Sequence, residues 1–116
     1  MQRELKTYFE DIITAVNKIE KYTKDMTKED LTRNELVQDA VVRNLEVIGE
    51  AVKKIPDDVR DSHRDIPWKK IAGLRDILIH EYFGVNMNIV WDVIENKLQP
   101  LKAAAGLQLN SVIKIE

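Results

Sequence analysis

Apolar residues recur along this chain at helical spacing. Leu5, Phe9, Ile12, Val16 and Ile19 step by 4, 3, 4 and 3, which places them on one face of a helix. The polar run Thr23-Lys24-Asp25 ends that stretch. Thr27 and Asp30 then form a capping pair that opens a short turn around Leu31. The clearest pattern follows. Val37, Val41, Leu45, Ile48, Val52 and Ile55 step by 4, 4, 3, 4 and 3, and Pro56 stops the helix. Gly49 interrupts it at ~1 kcal/mol relative to Ala; a close approach by a neighbouring helix and a tolerated defect account for it equally well.

Beyond Pro56, Asp57-Asp58-Val59-Arg60 reads as a helical turn and Ser62-His63-Arg64-Asp65 as a polar connection. Pro67 fits the first position of a third helix carrying Trp68, Ile71, Leu74 and Leu78. Gly84, just past Tyr82-Phe83, is its expected stop. A fourth helix is expected from about Asn86–Asn88, with Val90, Ile94, Leu98 and Leu101 on its apolar face and Pro100 kinking or ending it. Four amphipathic helices with short connections predict an all-α fold, an antiparallel four-helix bundle with short extra helical turns, over residues 1–101. Residues 102–116 form an extension with two open readings. Ala103-Ala104-Ala105 extends the last helix, or the alternation in Val112-Ile113-Lys114-Ile115 marks a partner-binding or disordered end.

Composition agrees with a folded helical domain. Of 116 residues 44% are hydrophobic and 33% charged, with only four Gly and three Pro. The absence of cysteine excludes disulfides, thiol catalysis and thiolate metal sites. No apolar region follows Met1-Gln2-Arg3-Glu4-Leu5-Lys6, and no run approaches the ~20 residues that cross a bilayer. A secretory signal and a membrane partner are therefore not expected, and the cytoplasm is the expected location. Eighteen basic and twenty acidic residues give a formal charge of −2, unlike a dedicated non-specific nucleic-acid binder. Arg60, Arg64, Lys69, Lys70 and Arg75 nevertheless stand against only Asp61 and Asp65. Charge alone favours a solvated mixed surface there.

Candidate chemistry concentrates in one segment. The two histidines, His63 and His80, have no cluster of carboxylates at ligand spacing, so no metal and no cofactor is expected. There is no phosphate-cradling Gly-rich loop and no serine-nucleophile elbow. What remains is Arg75-Asp76-Ile77-Leu78-Ile79-His80-Glu81-Tyr82, with a permanent cation, an imidazole, a carboxylate and a phenol within two helical turns. Asp76 and His80 are i,i+4 neighbours, so the carboxylate can fix the imidazole tautomer. Arg75 and Tyr82 are i,i+7 and share a stripe. Arg75 and His80 diverge by ~140° in a straight helix, which a second copy of the helix would reconcile. An ordinary ion pair and core aromatics explain the same residues.

Arg75-x4-His80-x-Tyr82 is similar to the Arg-x4-His-x-Tyr signature of the HepT toxins, a branch of the HEPN superfamily. The block from Gln38 to Ala51 resembles that family's second helix, and Ile66 to Arg75 resembles the lead-in to its catalytic helix. The likeness runs from about Leu5 to Leu101. It implies a HEPN-type bundle and a metal-independent endoribonuclease toxin working as a homodimer, with Arg75 and His80 of both subunits lining one composite cleft. Asp76 stands where the family commonly has Asn, which leaves it a supporting role. The resemblance also implies that Tyr82 accepts AMP from an MntA-like nucleotidyltransferase antitoxin. The rival expectation is a non-catalytic HEPN partner that binds a nucleotidyltransferase or nucleotide; a purely structural bundle is the third.

Overall fold

The computed structural model describes the backbone of residues 2–80 and 87–115, and within these the side chains of residues 4–74, Asp76 and residues 87–112. Helix α1 spans Gln2–Thr23, α2 Lys28–Thr32, α3 Glu35–Lys53, α4 Asp57–Ser62, and α5 Trp68–His80. A C-terminal rod joins α6, Met87–Asp92, through a π-helical segment, Val93–Lys97, to α7, Leu98–Ile115. No strand occurs among the described residues. The fold is all-α, a four-helix bundle with short extra helices.

The apolar stripes read from the sequence form the core. Phe9, Ile12, Val16 and Ile19 of α1 are buried with Val41, Leu45, Ile48 and Val52 of α3, and Leu98 and Leu101 of the rod close the cluster. Helix α1 packs against both α3 and α7, and α3 also packs against α5. The helix ends are set locally. Thr23 Oγ1 donates to the Ile19 carbonyl at 2.8 Å, and Asp25 takes a left-handed conformation, φ 63°, which short polar side chains tolerate. Thr27 and Asp30 make the expected capping box. Asn34 caps α3 by accepting from the Val37 amide, while Gln38 Nε2 donates to the carbonyls of Leu31 and Thr32 at the end of α2.

Two features lie beyond what the sequence pattern decides. Pro100 lies inside α7 and does not end it. Proline clashes with the carbonyl four residues back and lacks the N–H that would bond it. The turn before it opens, and the Leu98 N–H bonds the Val93 carbonyl five residues back. The wider turn shifts the register, so that Val93 is buried while Ile94 is only partly covered. Residues 102–115 continue α7, with Ala104, Ala105 and Val112 buried. Glu20 fastens this helix to α1 through a hydrogen bond from Gln99 and a 3.6 Å ion pair with Lys102. The rod of 29 residues, 87 to 115, is ~43 Å long at 1.5 Å per residue, close to the 45 Å long axis of the molecule.

Candidate active site

Helix α5 is anchored at its start. Ile66, Trp68, Ile71 and Leu74 are buried. The Trp68 Nε1–H is shared between the carbonyls of His63, 3.0 Å, and Arg60, 3.2 Å. These bonds hold the α4–α5 connection to the first residue of the helix. Lys69, Lys70 and Asp76 are exposed, so one side of α5 faces α3 and the other faces solvent.

Helical register then orders the candidate residues. The backbone is helical from 68 to 80, so position 80 lies within ~20° of position 73 and near the exposed positions 69 and 76. Position 75 is ~140° away from position 80 and ~7.5 Å back along the axis. It falls between the arcs of Trp68 and Ile71, both buried. Arg75 and His80 therefore start from different sides of the same helix. The side chains of Arg75 and His80 lie outside the described residues, as does the expected hydrogen bond from the His80 imidazole to the Asp76 carboxylate. Tyr82 and the Gly84 stop lie outside them altogether.

Two members of the charged and titratable set have structural partners. Arg60 donates from Nε to the Ile55 carbonyl at 3.1 Å and from an Nη to the Val52 carbonyl at 2.8 Å. It caps the C-terminal end of α3, where carbonyls lack intrahelical donors and a cation is favoured. His63 Nε2 is hydrogen-bonded at 3.0 Å to the side-chain amide of Gln108 on α7. That bond joins residues 45 apart in sequence, and nothing in the local pattern announces it.

The remaining basic side chains line open surface. A cavity of about 440 Å³ lies between α5 and the beginning of the C-terminal rod, with Ile71, Leu74 and Val93 beneath and Lys69, Lys70 and Lys97 around it. Gly73 also lines it, and a Cβ at that position would meet nothing within 4 Å. A mid-helix Gly costs ~1 kcal/mol relative to Ala, and packing among the described residues does not require it. On the far side of Lys69 and Lys70 a shallower groove runs past Arg64, Asp61 and Asp57. Among the described residues no ion pair engages Arg64, Lys69, Lys70 or Lys97. The sequence groups Lys69 and Lys70 with Arg60 but gives no sign of Lys97, which only the packing of the rod brings to α5.

Among the described residues no group of three His, Asp or Glu stands close enough to hold a metal ion. No helix there is long and apolar enough to cross a membrane.

Comparison with known proteins bears on what this arrangement serves. A protein of Methanocaldococcus jannaschii named "Putative RNase MJ0125" is 45% identical over 101 residues, covering 87% of each chain. One of Thermococcus cleftensis named "Probable ribonuclease HepT" is 43% identical over 102 residues, 88% of this chain and 93% of that one. A third, "Gamma-glutamylcyclotransferase and putative RNase MJ0434" of M. jannaschii, is 42% identical over 102 residues. There the chain spans only 46% of its relative's length. No solved structure matches the chain. The family model described as "Ribonuclease HepT-like" matches residues 12–106, a span that includes α5 with Arg75, Asp76 and His80 as well as Tyr82, and this chain belongs to that HepT-like family.

Proposed function

We propose that this chain is an endoribonuclease toxin that cuts RNA without a metal ion, in a cleft shared by two subunits. The observation that carries the proposal is the motif Arg75-x4-His80-x-Tyr82, whose Arg75 and His80 belong to α5, in a member of the HepT-like family. The names of its relatives support the same activity. Strand cleavage needs a base to take the 2′-hydroxyl proton, so that O2′ attacks the adjacent phosphorus. It also needs an acid to protonate the 5′-oxygen as its P–O bond breaks, leaving a 2′,3′-cyclic phosphate. One imidazole cannot easily do both at once, whereas His80 from each of two subunits can. Arg75 offers a forked set of donors to the phosphorane oxygens as charge develops.

The helical register supports the dimer. Positions 75 and 80 diverge by ~140° on one helix, and a two-fold pairing of α5 lets Arg75 of one subunit serve beside His80 of the other. Asp76, exposed on the same side of α5 as position 80, orients the imidazole. Tyr82 is the regulatory residue. A nucleotidyltransferase antitoxin of the MntA kind transfers AMP from ATP to its hydroxyl, with pyrophosphate leaving and the phenolic proton lost. This places a phosphate near Arg75 that competes with RNA for it. The protein works in the cytoplasm, where its RNA is.

Mixed dimers test the shared cleft. Arg75→Ala and His80→Ala subunits, each inactive alone, are expected to regain part of the RNA cleavage when co-refolded together. A strictly monomeric protein that still cuts RNA would refute the composite site.

A further inference from the structure

The cavity beside α5 sits on the path that leads to position 80. Its floor is Ile71, Leu74 and Val93, with Ile89 at 39% exposure on the rod side, and its basic lining is Lys69, Lys70 and Lys97. Asp92 is the one acid among its described lining residues. At about 440 Å³ it falls within the ~300–1,000 Å³ range of small-molecule sites, enough for one base with its ribose. Gly73 adds no side chain of its own to the lining, and a Cβ there would meet nothing within 4 Å. From position 73 to position 80 the axial distance is ~10 Å along nearly one stripe. The groove beyond Lys69 and Lys70 continues the surface in the other direction, past Arg64.

We infer that this cavity is a nucleotide-binding subsite for single-stranded RNA. It holds one base against the apolar floor while Lys69, Lys70 and Lys97 bind the phosphates on either side. The inference rests on the ribonuclease reading above and deepens it by placing the strand that flanks the cut. Charge complementarity selects the occupant. Three lysines without ion-pair partners among the described residues surround an apolar floor, and a strand of RNA offers alternating apolar rings and anions at that scale. A single strand, unlike a duplex, can turn a base out into such a hole. Glycine at 73 lets the sugar–phosphate chain run close over the helix towards position 80.

Binding is measured with a 2′-O-methyl single-stranded oligonucleotide, which lacks the nucleophilic hydroxyl and is not cut, by fluorescence anisotropy across a salt series. The triple variant Lys69→Gln/Lys70→Gln/Lys97→Gln should flatten the slope of log K against log salt by about 1.4, at ~0.7 for each of the two phosphates flanking the bound base that are no longer neutralised. Gly73→Leu has room for its Cβ. It should weaken binding about tenfold with the slope retained, because it covers the base site and leaves the lysines. Cleavage of ordinary RNA by the wild-type protein is followed in parallel, so the two ideas fail separately. Wild-type affinity and slope in both variants, with RNA still cut, would overturn the subsite and leave the ribonuclease. Both effects with no RNA cut would do the reverse. A wild-type protein that does not bind the oligonucleotide overturns the subsite, as does a change of oligomeric state in Gly73→Leu, which would make this face a contact between copies of the chain.

Discussion

Arg60 separates two explanations of the basic stretch before α5, and Arg60→Met distinguishes them. In the structure its guanidinium is bonded to the carbonyls of Val52 and Ile55 at 2.8 and 3.1 Å, so it closes the end of α3. A charged donor on a buried carbonyl contributes ~1.5–3 kcal/mol, but Arg60 is only half-buried and water partly replaces it. About 1 kcal/mol for each bond, including the favourable helix-end charge, gives ~2 kcal/mol in all. Methionine keeps the apolar stem, so packing changes little. For 116 residues, at ~2.1 cal/mol/K per residue, the unfolding entropy is ~0.24 kcal/mol/K, and the midpoint should fall by ~8 °C. Calorimetry at fixed protein concentration, with urea unfolding followed by circular dichroism, measures this. The urea m-value should not change, since the surface exposed is the same. RNA binding should keep its salt slope. An unchanged midpoint together with a slope reduced by ~0.7 would make Arg60 a phosphate contact and refute its role as a helix cap.

Trp68→Phe, which keeps a ring but loses the N–H shared by the carbonyls of Arg60 and His63, should lower stability by ~1–2 kcal/mol in urea titration; no loss would mean that the α4–α5 connection is held by other contacts. Thr27→Ala removes half of the capping box and should cost ~1 kcal/mol, with amide exchange accelerated around α2; uniform protection there would contradict the cap. Tyr82→Phe should stay toxic and escape neutralisation by a nucleotidyltransferase, with AMP absent from the variant by mass spectrometry; labelling at Tyr8 or Tyr22 but not Tyr82 in the unaltered protein would reject the switch.

The parts of the fold legible in the sequence are those decided within a turn or two. Phe9, Ile12, Val16 and Ile19 repeat at helical spacing and are all buried. Thr27 and Asp30 cap α2 as their spacing requires, and α3 ends just before Pro56. Pro100 is less legible because its effect depends on whether the preceding turn can widen, and here it does. The tail also carries a usable signal. Leu101, Ala104, Ala105 and Val112 form one helical stripe, while the alternation in Val112-Ile113-Lys114-Ile115 points elsewhere. Long-range contacts are not legible. Neither the His63–Gln108 bond nor the approach of Lys97 to α5 has a local signature, because each depends on how α7 and the rod pack. For the candidate site, spacing puts Arg75, Asp76 and His80 on one helix, and the backbone of α5 includes all three. The family match adds the chemical context that spacing alone lacks.

Incubation of the purified protein with RNA in the presence of a chelator, alongside His80→Ala, decides whether this chain is a metal-independent ribonuclease. Chelation removes adventitious metal-dependent nucleases. Circular dichroism of both proteins checks that the helices remain. The wild-type protein should cut RNA under these conditions to leave 2′,3′-cyclic phosphate ends. His80→Ala, equally folded, should lose at least ~10²-fold in rate, the contribution of a positioned proton-transfer group. Equal cleavage by the two proteins, or cleavage that vanishes with chelator, would contradict it.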